Sequence, residues 1–173
     1  MYGYFPSFMA AFNPSKVHYF ASQPERCVCG ISPSLKLLCD TYGKNKVCLW
    51  IAGLIGNINL MALGSDTSKK MTAEQIADCA EGIVSNYNIL KAAELMLFIS
   101  RLKAGKYGKF YGVIDGITIC NALNDYLEER NETLCQAHNK LQENIQEKNK
   151  VMIEKWNEYQ NTLEYAEMIK KWD

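Results

Sequence analysis

Proline is scarce in this 173-residue chain: there are four, and none follows Pro33. Beyond that point nothing locks φ or removes a backbone donor, so long helices are permitted over most of the chain. Charge of one sign is also lacking, since 19 basic residues face 19 acidic ones. That removes the strongest generic argument for a nucleic-acid binder, although local patches stay possible. The cysteines form no framework. They number seven, an odd count, at Cys27, Cys29, Cys39, Cys48, Cys79, Cys120 and Cys135, which reads as a reducing, cytoplasmic setting. There are only two histidines, His18 and His138, so catalysis by a Cys/His pair has little to draw on. The longest apolar run, residues 47–55, contains Gly53 and falls far short of the ~20 residues that span a bilayer. It is expected to be a buried core helix, with no membrane association. The aromatic N-terminus lacks the basic start of a secretory signal and is interrupted by Pro6, Asn13 and Pro14, so export is not expected.

What is present is ordinary for one globular domain with a helical appendage: 48% hydrophobic and 22% charged residues. A chain of this size buries roughly 70% of the surface its unfolded form exposes, so neither disulfide nor metal is needed for stability.

Residues 1–31 hold Pro6, Pro14 and Pro24 and show no sustained period, which reads as an irregular N-terminal arm. Ser32 and Pro33 suit a helix start, and Gly43 a stop. A second helix from about Asn45 carries Val47, Leu49, Trp50, Ile51, Leu54, Ile55, Ile58 and Met61, apolar on most faces and hence central. Thr72 with Gln75 forms a capping-box pattern that opens a third helix, whose stripe includes Ile76, Ile83 and Val84. A fourth pattern covers residues 88–104, separated from the third by little more than Asn86 and Asn88. After Gly116 no glycine or proline occurs through Asp173. Leu127, Leu134 and Leu141 repeat at seven before the phase slips to Ile145, Met152, Trp156 and Leu163. This fits one very long helix, or a hairpin broken within residues 140–150. The expected fold is therefore all-α: a helical core over residues 32–123 and a C-terminal helical tail over residues 124–173.

The sharpest local feature is the glycine-rich stretch 105–116, in which Gly105, Gly108, Gly112 and Gly116 alternate with aromatic and basic residues. Residues 91–113 carry five bases against one acid, while residues 124–173 carry 11 acids against seven bases. A neutral chain thus hides a dipolar one. Cations beside exposed rings suit single-strand binding, the cations tracking phosphates and the rings stacking on bases. On this reading Arg101, Lys103, Lys106, Tyr107, Lys109 and Tyr111 contact nucleic acid. The competing reading has the rings plug a helix corner while the lysines stay solvated or meet an acidic surface, either a partner's or the chain's own tail. The cluster Glu128, Glu129 and Arg130 either solvates its helix or pairs with the basic stretch. The spacing of a nucleotide-binding phosphate loop is absent.

Cys27, Cys29, Cys39 and Cys48 could supply four thiolates, but their spacing matches no zinc ribbon or finger. No metal or cofactor is expected, and no acid, base and nucleophile set stands out that would make the chain an enzyme.

The run Ser32-Pro33-Ser34-Leu35, then Trp50, residues 71–75, Leu90-Lys91, residues 94–98, the glycine-rich stretch 105–112 and residues 127–131 resemble an uncharacterised family of small helical proteins carried by phages and mobile elements of gut bacteria. The resemblance covers about residues 32–131. It implies an all-helical fold and a mobile-element context, and it transfers no catalytic residue. The expected function is a binding or accessory protein that contacts nucleic acid weakly through the basic corner. The alternative is an adaptor for an acidic protein surface, and a small enzyme with an unrecognised site is the least favoured. Its C-terminal apolar stripe suggests self-association.

Overall fold

The computed structural model describes residues 3–62, 70–108 and 114–171. All regular structure among them is helical, and one isolated bridge joins Ser34 to Lys91. The chain divides into two compact units, Met1–Thr133 and Leu134–Asp173.

The segment expected to be an irregular arm instead forms short helices: α1 (Phe5–Ala11), a 3₁₀ turn (Pro14–Lys16), α2 (Val17–Ala21) and α3 (Pro24–Cys29). The prolines that argued against helix here sit at helix starts, where the missing N–H costs nothing. Each helix is too short for its apolar spacing to show a period. Burial shows what holds them: Phe8, Phe12, Val17, Cys27 and Val28 are all core residues.

The helix α4 (Leu35–Tyr42) is capped by Ser34, two residues later than the sequence suggests, with Gly43 at its end in the left-handed region at φ +91°. Ser32 serves another helix, its hydroxyl accepting from the N–H of Ala93 at 3.1 Å. The helix α5 (Lys44–Ala62) is the apolar one, and Val47, Trp50, Ile51, Leu54, Ile55 and Ile58 are essentially inaccessible. It packs against α4, α6 and α7. The indole N–H of Trp50 donates to the carbonyl of Phe12 at 2.9 Å, and rings of Phe8 and Phe12 meet its indole edge-on.

The capping box expected at Thr72 and Gln75 is formed and opens α6 (Ala73–Asn86). Near the end of α5 the buried amide of Asn59 grips the backbone N–H and C=O of Met71, each at 3.0 Å, which fixes the chain's return path. A break at residues 87–91 separates α6 from α7 (Ala92–Lys103), whose residues 92–100 and Leu102 are all buried.

The helix α8 (Gly116–Gln160) runs unbroken through residues 140–150, so of the two alternatives, one very long helix or a hairpin broken there, the long helix is the one formed. The interruption comes at Asn161, after which Thr162 caps α9 (Leu163–Lys170). In the first unit α8 buries Ile119, Ala122, Leu123 and Tyr126. In the second unit the rings of Trp156, Tyr159 and Tyr165 form one cluster, with centroids 5.8–6.2 Å apart, that ties α9 to α8.

Candidate functional site

The corner after α7 is set by glycine. Gly105 at φ +74° and Gly108 at φ +100° adopt left-handed backbone that side chains disfavour. The N–H of Lys106 donates to the carbonyl of Arg101 at 3.1 Å and that of Gly105 to Leu102 at 3.0 Å, which closes the helix with a Schellman pattern.

This closure turns three of the sequence-selected residues toward one carboxylate. Arg101 and Lys106 each donate to Oε2 of Glu129 at 2.7 Å, and the hydroxyl of Tyr107 lies 3.5 Å from the same oxygen. Tyr107 is half-buried, its ring 5.8 Å from that of Phe98, and burial pushes its phenol up to about 12. Lys103 is placed apart from this group. Its ammonium donates to the amide oxygen of Asn57, and burial moves its pKa below the ordinary lysine value. Lys109 and Tyr111 lie outside the described residues. Of the two readings left open for residues 128–130, pairing with the basic stretch is the one that Glu129 adopts.

A second polar cluster lies deeper, and the sequence reading missed it. Glu94, on the most buried helix of the fold, is fully inaccessible. Its carboxylate accepts from the guanidinium of Arg130 at 2.5 Å and from the backbone N–H of Lys91 at 2.8 Å, so both oxygens are used. The ammonium of Lys91 turns away from solvent to the carbonyls of Val28 and Gly30, at 2.7 and 3.0 Å. The available signal was one acid inside an otherwise apolar run, residues 92–99, because a charge there requires a partner. Beside this pair the hydroxyl of Tyr126 is buried with no hydrogen-bond partner among the described residues. Burial and the negative charge of Glu94 raise its pKa, and the guanidinium of Arg101 stands 6.0 Å from the centre of its ring.

Cys79 lies beside Cys120 and Cys39 beside Cys48, and Cys27 stands apart from both pairs. Cys27 lines a cavity of about 280 Å³ with Phe12, Phe20 and Ser32, and burial pushes its thiol up to about 11. Cys79 is driven to about 12 by burial and by neighbouring Cys120. Thiols so shifted are poor nucleophiles at neutral pH. Among the described residues no group of three or more His, Cys, Asp or Glu is arranged to hold a metal ion. No described helix is long and apolar enough to cross a membrane.

Fold and polar clusters together define an all-helical protein in whose first unit the start of α8 is held to α7 and the corner after it by ion pairs at Glu94 and Glu129. A family model covers residues 70–171, more than half of the chain and including both clusters. The chain belongs to that family, DUF6633, a family of unknown function. No curated protein and no solved structure matches it.

Proposed function

We propose that this chain is a non-enzymatic accessory protein that works by protein–protein association through its second unit, and that its partner is a second copy of itself. The observation that carries the reading is the exposure of large apolar side chains on one stretch of α8: Leu141, Ile145, Val151, Met152, Ile153 and Trp156 are all solvent-exposed. A helix surrounded by water gains little from propensity alone, and a run of exposed aliphatic and aromatic groups on it gains stability by pairing. An accessory role in a phage or mobile element belongs to the same proposal and rests on the sequence resemblance.

Nucleic-acid contact is the second reading, and one observation favours it. Arg101 and Lys106 share the single carboxylate of Glu129, which leaves one positive charge uncompensated at the corner. Weak binding there, with about one phosphate neutralised, would give a log–log salt slope near −0.7 for single strands.

Sedimentation of the full chain, beside fluorescence anisotropy with labelled oligonucleotides at low salt, separates the two. Self-association at micromolar concentration that is lost in Met152→Lys, with no oligonucleotide bound at tens of micromolar, supports the first. A monomer that binds oligonucleotides supports the second.

A further inference from the structure

We propose that Cys79 and Cys120 form a redox-active dithiol, a modification site that takes a hydroperoxide as oxidant and closes to a disulfide between α6 and α8. The two sulfurs meet because their helices share a register. Cys79, Ile83 and, at the C-cap, Tyr87 stand at four-residue steps on one face of α6, and Gly116, Cys120 and Asn124 do the same on α8. The two faces touch at both ends. A Cβ built on Gly116 would lie 3.5 Å from Cβ and 3.7 Å from Sγ of Cys79, and the hydroxyl of Tyr87 donates to the amide oxygen of Asn124 at 2.9 Å. The two contacts are equally spaced along both helices, so α6 and α8 run in the same direction here and Cys120 occupies the step between. Helical side chains lean toward the helix N-terminus, which brings the sulfur of Cys120 back toward the level of Cys79. The S–H of Cys79 donates to it.

The two thiols are not equivalent. Cys79 is 7% exposed, whereas Cys120 is only partly covered. Burial raises the pKa of both, but their hydrogen bond acts in opposite senses: it holds the proton on Cys79 and draws Cys120 back toward the ordinary range. Cys120 is therefore the sulfur that meets the oxidant. Its thiolate attacks the O–O bond, takes one hydroxyl to become a sulfenic acid, and releases the other as hydroxide, which takes up the proton the thiol lost. The sulfur of Cys79 then attacks the sulfenic sulfur. An S–S bond forms, the S–O bond breaks, and the hydroxyl leaves as a second water with the proton of Cys79. Two thiols have lost two electrons, and the peroxide has gained them. The high pKa of Cys79 slows this second step, and contact between the sulfurs offsets it because the step is intramolecular.

Exposure alone would direct oxidation elsewhere, to the exposed thiols of Cys29 and Cys135. Cys39 and Cys48, on either side of the turn at Gly43, influence each other as charges and share no hydrogen bond. The bridge between residues 79 and 120 would enclose α7 and the glycine corner with Arg101, Lys106 and Tyr107. Oxidation thus fixes the start of α8 to α6 covalently, where the reduced protein relies on packing and on the bond from Tyr87 to Asn124. Transient disulfides of this kind are the form that thiol oxidation takes in reducing compartments.

Peptide mapping of the full chain tests the pair. The reduced protein is treated with one equivalent of hydrogen peroxide, remaining thiols are alkylated, and the digest is read by mass spectrometry without reduction. The expected result is a Cys79–Cys120 cross-link as the main disulfide, absent from untreated protein and removed by dithiothreitol. Because the link is sought in the natural sequence, this result does not depend on any variant folding. Dimedone, which traps sulfenic acids, is expected to label Cys120 in Cys79→Ser and to leave Cys79 unlabelled in Cys120→Ser, with circular dichroism confirming unchanged helicity. Oxidation confined to Cys29 and Cys135, or a Cys39–Cys48 link in place of Cys79–Cys120, overturns the proposal. Dimedone on Cys79 in Cys120→Ser, with none on Cys120 in Cys79→Ser, overturns the order in which the two sulfurs act.

Discussion

Residues 3–133 and residues 134–171 use charge in opposite ways. In the first unit Glu94 takes Arg130 and Glu129 takes both Arg101 and Lys106, and the acids involved are wholly or largely shielded from water. In the second unit Lys140, Glu147, Lys148, Glu154, Lys155 and Glu158 of α8 have no ion-pair partner among the described residues. Trp50 and Trp156 follow the same division. Trp50 is fully enclosed and Trp156 is open to solvent. Satisfied polar groups in a dry setting fix one arrangement of the chain, while unsatisfied ones in water are available to something else.

The contrast breaks most clearly at Arg130. Arg130→Ala leaves the carboxylate of Glu94 buried and short of a donor, and is expected to cost about 3–5 kcal/mol in urea unfolding. A loss below 1 kcal/mol would mean that water reaches Glu94 and that the two units handle charge alike. Tyr126 supplies a change of opposite sign. Its hydroxyl is buried without a partner among the described residues, so Tyr126→Phe is expected to raise unfolding free energy by ~1 kcal/mol, measured in the same way. The pH profile sharpens this. Tyr107 has its folded pKa raised to about 12, above the value near 10 of an unfolded tyrosine. The stability it contributes is intact below pH ~10 and is lost as pH rises toward 12, because the unfolded chain gives up its proton first. Tyr107→Phe should flatten that decline. The smallest effect belongs to the second unit: Lys150→Ala, on the helix face away from the apolar stripe, should leave stability within about 0.5 kcal/mol.

Much of the helical layout was legible because its signals are local. Thr72 with Gln75, the apolar surround of α5 and the absence of glycine and proline after Gly116 each depend on a few neighbouring residues. What escaped depends on distant partners. Residues 5–29 look irregular because no single helix there is long enough to show a period, and their order comes from burying Phe8, Phe12 and Val28 against later elements. The basic stretch was visible by counting, and pairing with the cluster 128–130 was one of the readings left open. The choice of Glu129 over its neighbour Glu128 depends on which side of α8 faces α7. Glu94 was counted only as one acid among five bases. Its role requires knowing that α7 is enclosed on all sides, which no window of sequence around it states.

The ammonium of Lys91 reaches back 63 residues to the carbonyl of Val28, and α2 and α3 lie chiefly on α7. During synthesis this sets an order of events. The helices α2 and α3 lack their main docking surface until α7 has been made, which at 5–20 residues per second is roughly 4 to 15 seconds later. For that interval Val17, Cys27 and Val28 lack the cover they have in the finished protein. Residues 17–29 thus settle only after a helix made more than 60 residues later.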